Sequence, residues 1–392
     1  MCDYRNPVNV LIATWHGGGA SQPAVGLGRL LAERGHRVRI FAPAAYAPRV
    51  AASGCVLRRF PAEVEFDPAL GRQLEDQRAH LGRIFLGREL PDAVAADLAR
   101  EPADVIVVDY LLRSLVGLAE QLPIPHALLI HTMYRFHGGA DDDEDTRRGW
   151  HEPVNASRVE LGLAPLPIGP DSVTVALARR AEACLIVMPR VYDDWPDPPE
   201  NVAHVGPIIE EAPGLAWESP WPPSDRRPLI VVSMGTTYMR HEEVLGRVVR
   251  AFGDLNARVL VLTGPELAPE ELAFPPGVEV RRYVPHGAVL PGAELVVTHA
   301  GMGTLMAAFS AGVPVLCLPL GRDQAENAGR VEELGLGRTV RRDATQAEIR
   351  EATAEALASA ALHDQARLMA SVIRGYGGGA IAVTLLERLQ RM

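Results

Sequence analysis

Short apolar runs, each followed by a glycine or polar turn and then by a helical stretch, recur along the chain. Val8 to Thr14 is such a run. It ends in Trp15, His16 and Gly17 to Gly19, after which Leu27, Leu30 and Leu31 stand at helical spacing. Gly35 stops that helix and Val38 to Phe41 supplies the next strand, so the chain opens with a βαβ unit. The same pattern predicts strands at Val105 to Asp109, Ala127 to Ile130 and Leu185 to Val187. It predicts helices over 60–100, 115–122 and 177–183. Between Pro189 and Pro228 proline is too dense for regular structure and reads as a linker. A second alternating series then starts, with strands at Leu229 to Ser233, Ala257 to Leu262, Val278 to Arg281, Leu295 to Thr298 and Val315 to Leu318. Helices are expected at Glu242 to Phe252, Thr304 to Ala311, Gln346 to Ser359 and Leu362 to Arg374, and a last one after Gly375 to Gly379.

Composition changes this picture little. A chain of 392 residues exceeds the roughly 250–300 at which one core stops growing, so two α/β domains are expected. A net charge of −10 argues against nucleic acid or an anionic membrane surface as the main partner. No apolar run reaches the roughly 20 residues that span a bilayer, so neither an export signal nor a membrane anchor is read and a cytoplasmic location is expected. Cys2, Cys55, Cys184 and Cys317 are scattered, which suggests neither a zinc site nor a disulfide framework. The acidic run Asp141 to Asp145 is expected to be a solvated loop rather than a metal site.

The chemistry collects where strands end. Gly17 to Gly19 lacks the spacing of the dinucleotide fingerprint, and no acid ends the second strand, which argues against a nicotinamide enzyme. The turn at Gly301 and Gly303 opens a helix, so its backbone N–H groups and the positive helix end favour a phosphate or pyrophosphate. Around that turn stand His299, Gly301, Gly303 and Thr304, then Gly312, Val313 and Pro314, then Asp323, Gln324, Asn327, Ala328, Arg330 and Val331. Together they resemble the donor-site signature of the GT-B glycosyltransferases, the large inverting family-1 type that uses nucleotide-activated sugars. Ser233, Gly235 and Thr236 match that family's S-x-G-T turn, and Tyr283 to His286 matches the segment that cradles the base.

The resemblance implies two Rossmann-like domains with an interdomain cleft. Residues 1–207 would bind the acceptor, 208–228 would link, 229–375 would bind the donor, and a helix within 376–392 would return to the first domain. It implies donor contacts from Ser233, Gly235, Thr236, Val284, His299, Gly301, Met302, Gly303, Thr304, Asp323 and Gln324. His299 would donate to the pyrophosphate, Asp323 and Gln324 would meet sugar hydroxyls, and neither metal nor cofactor would be needed.

Two positions depart from the family. The glutamate that accepts from ribose hydroxyls is replaced by Ala307, which is tolerable if the nucleotide lacks a 2′-hydroxyl, so dTDP is expected over UDP. The usual catalytic histidine is replaced by Ala20, and the nearest imidazole is His16. His16 as base, oriented by Asp109 at the end of a neighbouring strand, is the expected pair; His131 is the reserve. With these departures the chain looks most like bacterial transferases that attach deoxysugars to antibiotic aglycones. The expected partners are then a nucleotide-sugar and an apolar aglycone, with a homodimer left open. The rivals are a nucleotide-sugar 2-epimerase and an inactive glycosyltransferase-like helper.

Overall fold

The computed structural model describes residues 7–391 apart from 18–20, 66–73, 136–143, 170, 196–197, 211–216, 236–240, 254, 265–266, 268–273 and 276. These residues divide into two compact units, 1–210 with 376–392, and 211–375.

The first unit carries strands β1 (Asn9–Ala13), β2 (Arg37–Ala42), β3 (Val56–Arg59), β4 (Val105–Asp109), β5 (His126–Ile130), β6 (Ala183–Ile186) and β7 (Val202–His204). Its helices are α1 (Ser21–Glu33), α2 (Ala47–Ala52), α3 (Leu74–Leu86), α4 (Glu89–Arg100), α5 (Arg113–Gln121), α6 (Glu144–Glu160) and α7 (Val173–Ala178). The strands form one parallel sheet in the order β3-β2-β1-β4-β5-β6-β7. Every residue of β4, β5 and β6 is buried, as expected of a parallel sheet covered on both faces.

The second unit carries β8 (Leu229–Ser233), β9 (Arg258–Leu262), β10 (Val278–Arg281), β11 (Leu295–Thr298), β12 (Val315–Cys317) and β13 (Gly337–Thr339). Its helices are α8 (Glu242–Ala251), α9 (His286–Val289), α10 (Met302–Ala311), α11 (Gln324–Glu333), α12 (Gln346–Ala358) and α13 (Ala360–Arg374). This sheet is also parallel, in the order β10-β9-β8-β11-β12-β13. The alternating α/β pattern thus produces two sheets of one design. In each, the winding reverses beside the first strand, between β1 and β4 and between β8 and β11. At such a switch point the connections leave in opposite directions, so a crevice opens at the carboxyl ends of the central strands.

Several elements differ from the sequence expectation. The helix expected over 177–183 lies earlier in the chain: α7 ends at Ala178, and a turn through Arg179 to Glu182 leads into β6 at Ala183. Val202 to His204, inside the proline-rich stretch, is an edge strand on β6, and prolines are tolerated beside an edge. Val56 to Arg59 and Gly337 to Thr339 are edge strands too short to show a period. Asp141 to Asp143 lie outside the described residues, whereas Glu144 and Asp145 open α6 instead of continuing a loop. Cys55, Cys184 and Cys317 are buried free thiols. No described helix is long and apolar enough to cross a membrane.

Helix α14 (Ala380–Leu389) places Ala382, Val383, Leu386 and Leu389 in the core of the first unit, together with Leu27 and Leu31 of α1. A buried polar contact fixes it. His36 Nδ1 accepts from the Val8 N–H at 3.2 Å, which leaves the proton on Nε2, 3.1 Å from Glu387 Oε1. Arg34 reaches the same oxygen at 3.3 Å. Glu387→Ala should therefore destabilise this unit by about 1–3 kcal/mol, the cost of stranding buried donors. Urea unfolding tests this, and a change within about 0.5 kcal/mol, the scale of ordinary surface substitutions, would deny the contact its role.

Candidate active site

In the second unit the switch point gathers most of the residues singled out above. Thr298, the last residue of β11, is in register with Ser233, the last of β8, so the turns that follow them face one another. His299 leaves β11 and is 8 % exposed. Two glycines make room for its ring. A Cβ on Gly301 would stand 2.4 Å from His299 Nε2, and one on Gly235 would stand 2.8 Å from Cε1. Gly235 also has φ +98°, which side chains rarely adopt.

Between the ring and the helix, Ala300 takes the left-handed conformation at φ 67°, a strained state that costs about 1–3 kcal/mol for a residue with a side chain. Asn327 on α11 holds it, its Nδ2 donating to Ala300 O at 3.0 Å and to Asp323 Oδ2 at 3.0 Å. Gly301 is then the N-cap of α10 without a side-chain capping bond, and Met302, Gly303 and Thr304 form the first turn. The positive end of a ten-residue helix thus opens beside the imidazole.

Burial holds the His299 imidazole neutral, pushing its pKa down to about 3, and the positive charges of His241 and Arg322 add to the effect. A hydrogen bond with the Ser233 backbone works the other way. A neutral ring near the Arg322 charge and a helix N-terminus is a place prepared for an anion. His286 at the start of α9 is likewise driven down to about 4 by burial. Its Nε2 lies 3.2 Å from Ser233 Oγ.

The remaining expected donor residues divide. Thr236 lies outside the described residues, and Val284 is buried just before α9. Gln324 is 2 % exposed, and its Oε1 accepts from the N–H groups of Leu320 and Gly321 at 2.8 and 3.2 Å, so that oxygen serves the loop. Asp323 occupies the N-cap position of α11 but makes no capping bond. Among the described residues no group of three or more His, Cys, Asp or Glu could hold a metal ion.

In the first unit, Asp109 ends β4 and is completely buried. Its Oδ1 accepts from the Leu111 N–H at 3.0 Å, and its Oδ2 lies 3.3 Å from His131 Nε2. The N–H is not aimed squarely at that oxygen, yet a buried carboxylate needs a partner and this imidazole is at ion-pair distance. The imidazole against Asp109 is thus that of His131, which follows the neighbouring strand β5, where the sequence reading expected His16. The Tyr110 ring stands 5.0 Å from that of His131, and Thr132 Oγ1 donates to the Tyr110 hydroxyl at 3.0 Å. Asp193 was not anticipated. Fully buried, it accepts from the N–H groups of Tyr134 and Arg135, both at 2.9 Å, and pins the loop that follows His131.

His16 follows β1 on the other side of the switch point, its ring edge-on to Tyr46 at 5.4 Å. Tyr46 accepts from Ser21 Oγ at 2.9 Å, and the Arg49 guanidinium lies 4.5 Å above its ring. Burial lowers the His16 pKa, and the Arg49 charge adds to the shift. Gly18, Gly19 and Ala20 lie outside the described residues.

Comparison with known proteins bears on this arrangement. Residues 246–373 match the C-terminal domain model of the erythromycin biosynthesis protein CIII-like family. The chain is 26 % identical over 378 residues to the NDP-glycosyltransferase YjiC of Bacillus subtilis (strain 168), covering 95 % of each. It is 27 % identical over 376 residues to the oleandomycin glycosyltransferase of Streptomyces antibioticus, covering 91 % of this chain and 85 % of that one. Among solved structures, the calicheamicin glycosyltransferase CalG4 is similar with a TM-score of 0.74 at 26 % identity, covering 98 % of both chains. The glycosyltransferase VinC, solved in complex with dTDP, shares the fold with a TM-score of 0.74 at 19 % identity over 98 % of this chain and 99 % of that one.

The buried neutral imidazoles carry a pH dependence. A histidine whose folded pKa lies below its unfolded value near 6.5 favours unfolding once protons bind the unfolded chain. Stability is then full above about pH 6.5 and falls as pH drops toward the folded values of about 3 and about 4. Each ring contributes a slope of up to about 1.4 kcal/mol per pH unit. His299→Gln should flatten that loss between pH 6.5 and 4.5 in urea titrations; an unaltered slope would mean the ring is charged in the fold.

Proposed function

We propose that this chain, a GT-B glycosyltransferase of the antibiotic-biosynthesis type, moves a deoxysugar from a dTDP donor to a hydroxyl of an apolar aglycone. Transfer inverts the anomeric carbon and uses no metal. The observation that carries this reading is the His299 ring, seated against Gly235 and Gly301 beside the uncapped start of α10. The second unit holds the donor, with the diphosphate at His299 and the α10 N-terminus. The acceptor oxygen attacks the anomeric carbon as its bond to the diphosphate breaks. The negative charge gained by the leaving nucleotide is met by the His299 N–H and the helix end, groups already in place before reaction.

On the acceptor side the distance between His131 and Asp109 favours His131 over His16 as the base. The carboxylate on Nε2 leaves Nδ1 to take the hydroxyl proton and stabilises the imidazolium formed. Asp109, Leu111 and Thr132 fix the group in place. The choice of thymidine is supported by Ala307, which is buried in α10 and offers no acceptor to a ribose hydroxyl, and by the dTDP in the VinC structure.

Three measurements follow. In calorimetry dTDP should bind at least as tightly as UDP; a clear preference for UDP that is lost with its 2′-deoxy analogue would sink the thymidine assignment. His299→Ala should weaken dTDP binding and lower turnover by about 10²-fold or more. His131→Ala should lower turnover by roughly 10²–10⁴ while sparing dTDP binding, and adding Asp109→Asn should cost little more. If His16→Ala carries the loss and His131→Ala does not, the base is His16.

A further inference from the structure

The start of α5 holds an arrangement that the glycosyl-transfer reading does not use. Arg113 is the first residue of this nine-residue helix and is 8 % exposed. Its Nε is buried without a hydrogen-bond partner, and among the described residues no carboxylate pairs with its guanidinium. The Trp150 ring covers the group at 4.4 Å. Ser114, next in the helix and 2 % exposed, also has a buried hydroxyl without a partner. The N-cap residue, Leu112, supplies no side-chain cap.

Each feature alone is unfavourable. A cation belongs at the carboxyl end of a helix, where the dipole is negative, and a buried charge belongs with a counter-charge. Burial pushes the Arg113 pKa down to about 10, so the site strains against its own charge. An anion seated there would reverse all three penalties together. It would accept from the guanidinium edge, from the Ser114 hydroxyl and from the open turn of the helix. With one face of the guanidinium under Trp150, its edge remains for a planar, two-oxygen acceptor. Tyr110 links this place to the base, since its ring packs on His131 and its phenol interacts electrostatically with Arg113.

We infer that Arg113, Ser114 and the N-terminus of α5 form a carboxylate subsite, and that the acceptor is an apolar molecule carrying a carboxylate as well as its reacting hydroxyl. The site is drawn from contacts within the first unit; only the naming of its ligand as the acceptor rests on the glycosyl-transfer reading.

The test uses the full chain and three probes, 6-hydroxy-2-naphthoate, its primary amide and inorganic phosphate, titrated by calorimetry. The acid should bind about tenfold or more tightly than the amide, as a charge-assisted pair requires. Arg113→Gln should abolish that preference and Arg113→Lys should keep part of it. Without ligand, Arg113→Gln should melt at or above the parent temperature, because it removes an uncompensated charge. Equal binding of acid and amide, or a preference untouched by Arg113→Gln, overturns the subsite. So does a lower melting temperature of Arg113→Gln in a parent without acid preference, which would make the residue a packing element. Tighter binding of phosphate than of the acid overturns the carboxylate assignment. dTDP binding, measured on the same samples, belongs to the other unit: its failure counts against the donor reading alone, and its presence without acid preference counts against this subsite alone.

Discussion

A parallel sheet that grows first to one side and then to the other cannot cover the carboxyl ends of its two central strands. Both units obey that constraint, and the chemistry of the chain follows from it. In one, β1 delivers His16 and β4 delivers Asp109; in the other, β8 delivers Ser233 and Gly235, and β11 delivers His299. Parallel pairing fixes the register, so within each unit the turns that follow these strands are set side by side by geometry rather than by loop flexibility. The remaining structure serves to hold the four strand ends at fixed positions. Asn327 secures the Ala300 peptide, Asp193 secures the loop after His131, and Glu387 ties the last helix to the first unit.

The two switch points differ in the charge they await. The second unit offers a neutral, buried imidazole near the Arg322 charge and a helix start, which suits the diphosphate of a nucleotide. The first unit already contains its anion in Asp109, partnered by His131, and this suits removal of a proton. In the proposed reading, the leaving group is stabilised by residues of one unit and the nucleophile is activated by residues of the other. The residues around His299 form a compact sequence motif, while those around Asp109 and His131 do not.

That difference sets what could be read from the sequence. The stretch from Leu295 to Asn327 is one βαβ unit, so its turn glycines, its histidine and its helix start are close in sequence and in space. That they come together was legible from spacing. The pairing of Asp109 with His131 was not, because the two sit on adjacent strands joined by a helix, and His16 was the nearer imidazole to the expected loop. Asp323 and Gln324 read as sugar-contacting residues, yet the bonds from Leu320 and Gly321 to Gln324, and from Asn327 to Asp323 and Ala300, show loop and turn duties that no local pattern announces. Short edge strands such as Val202 to His204 escaped for a simpler reason. Their pairing comes from a neighbouring strand, and three residues carry no period. Arg113 carries no signal in the sequence, and it is burial without a counter-charge that sets it apart.

The account depends most on where the diphosphate binds. The most direct test is a crystal structure of the full chain with dTDP bound. The account predicts the diphosphate within hydrogen-bonding distance of the His299 ring and the first N–H groups of α10, with the thymidine beyond Val284. A diphosphate seated instead at the β1–β4 switch point, or a nucleotide that leaves His299 untouched, would contradict it.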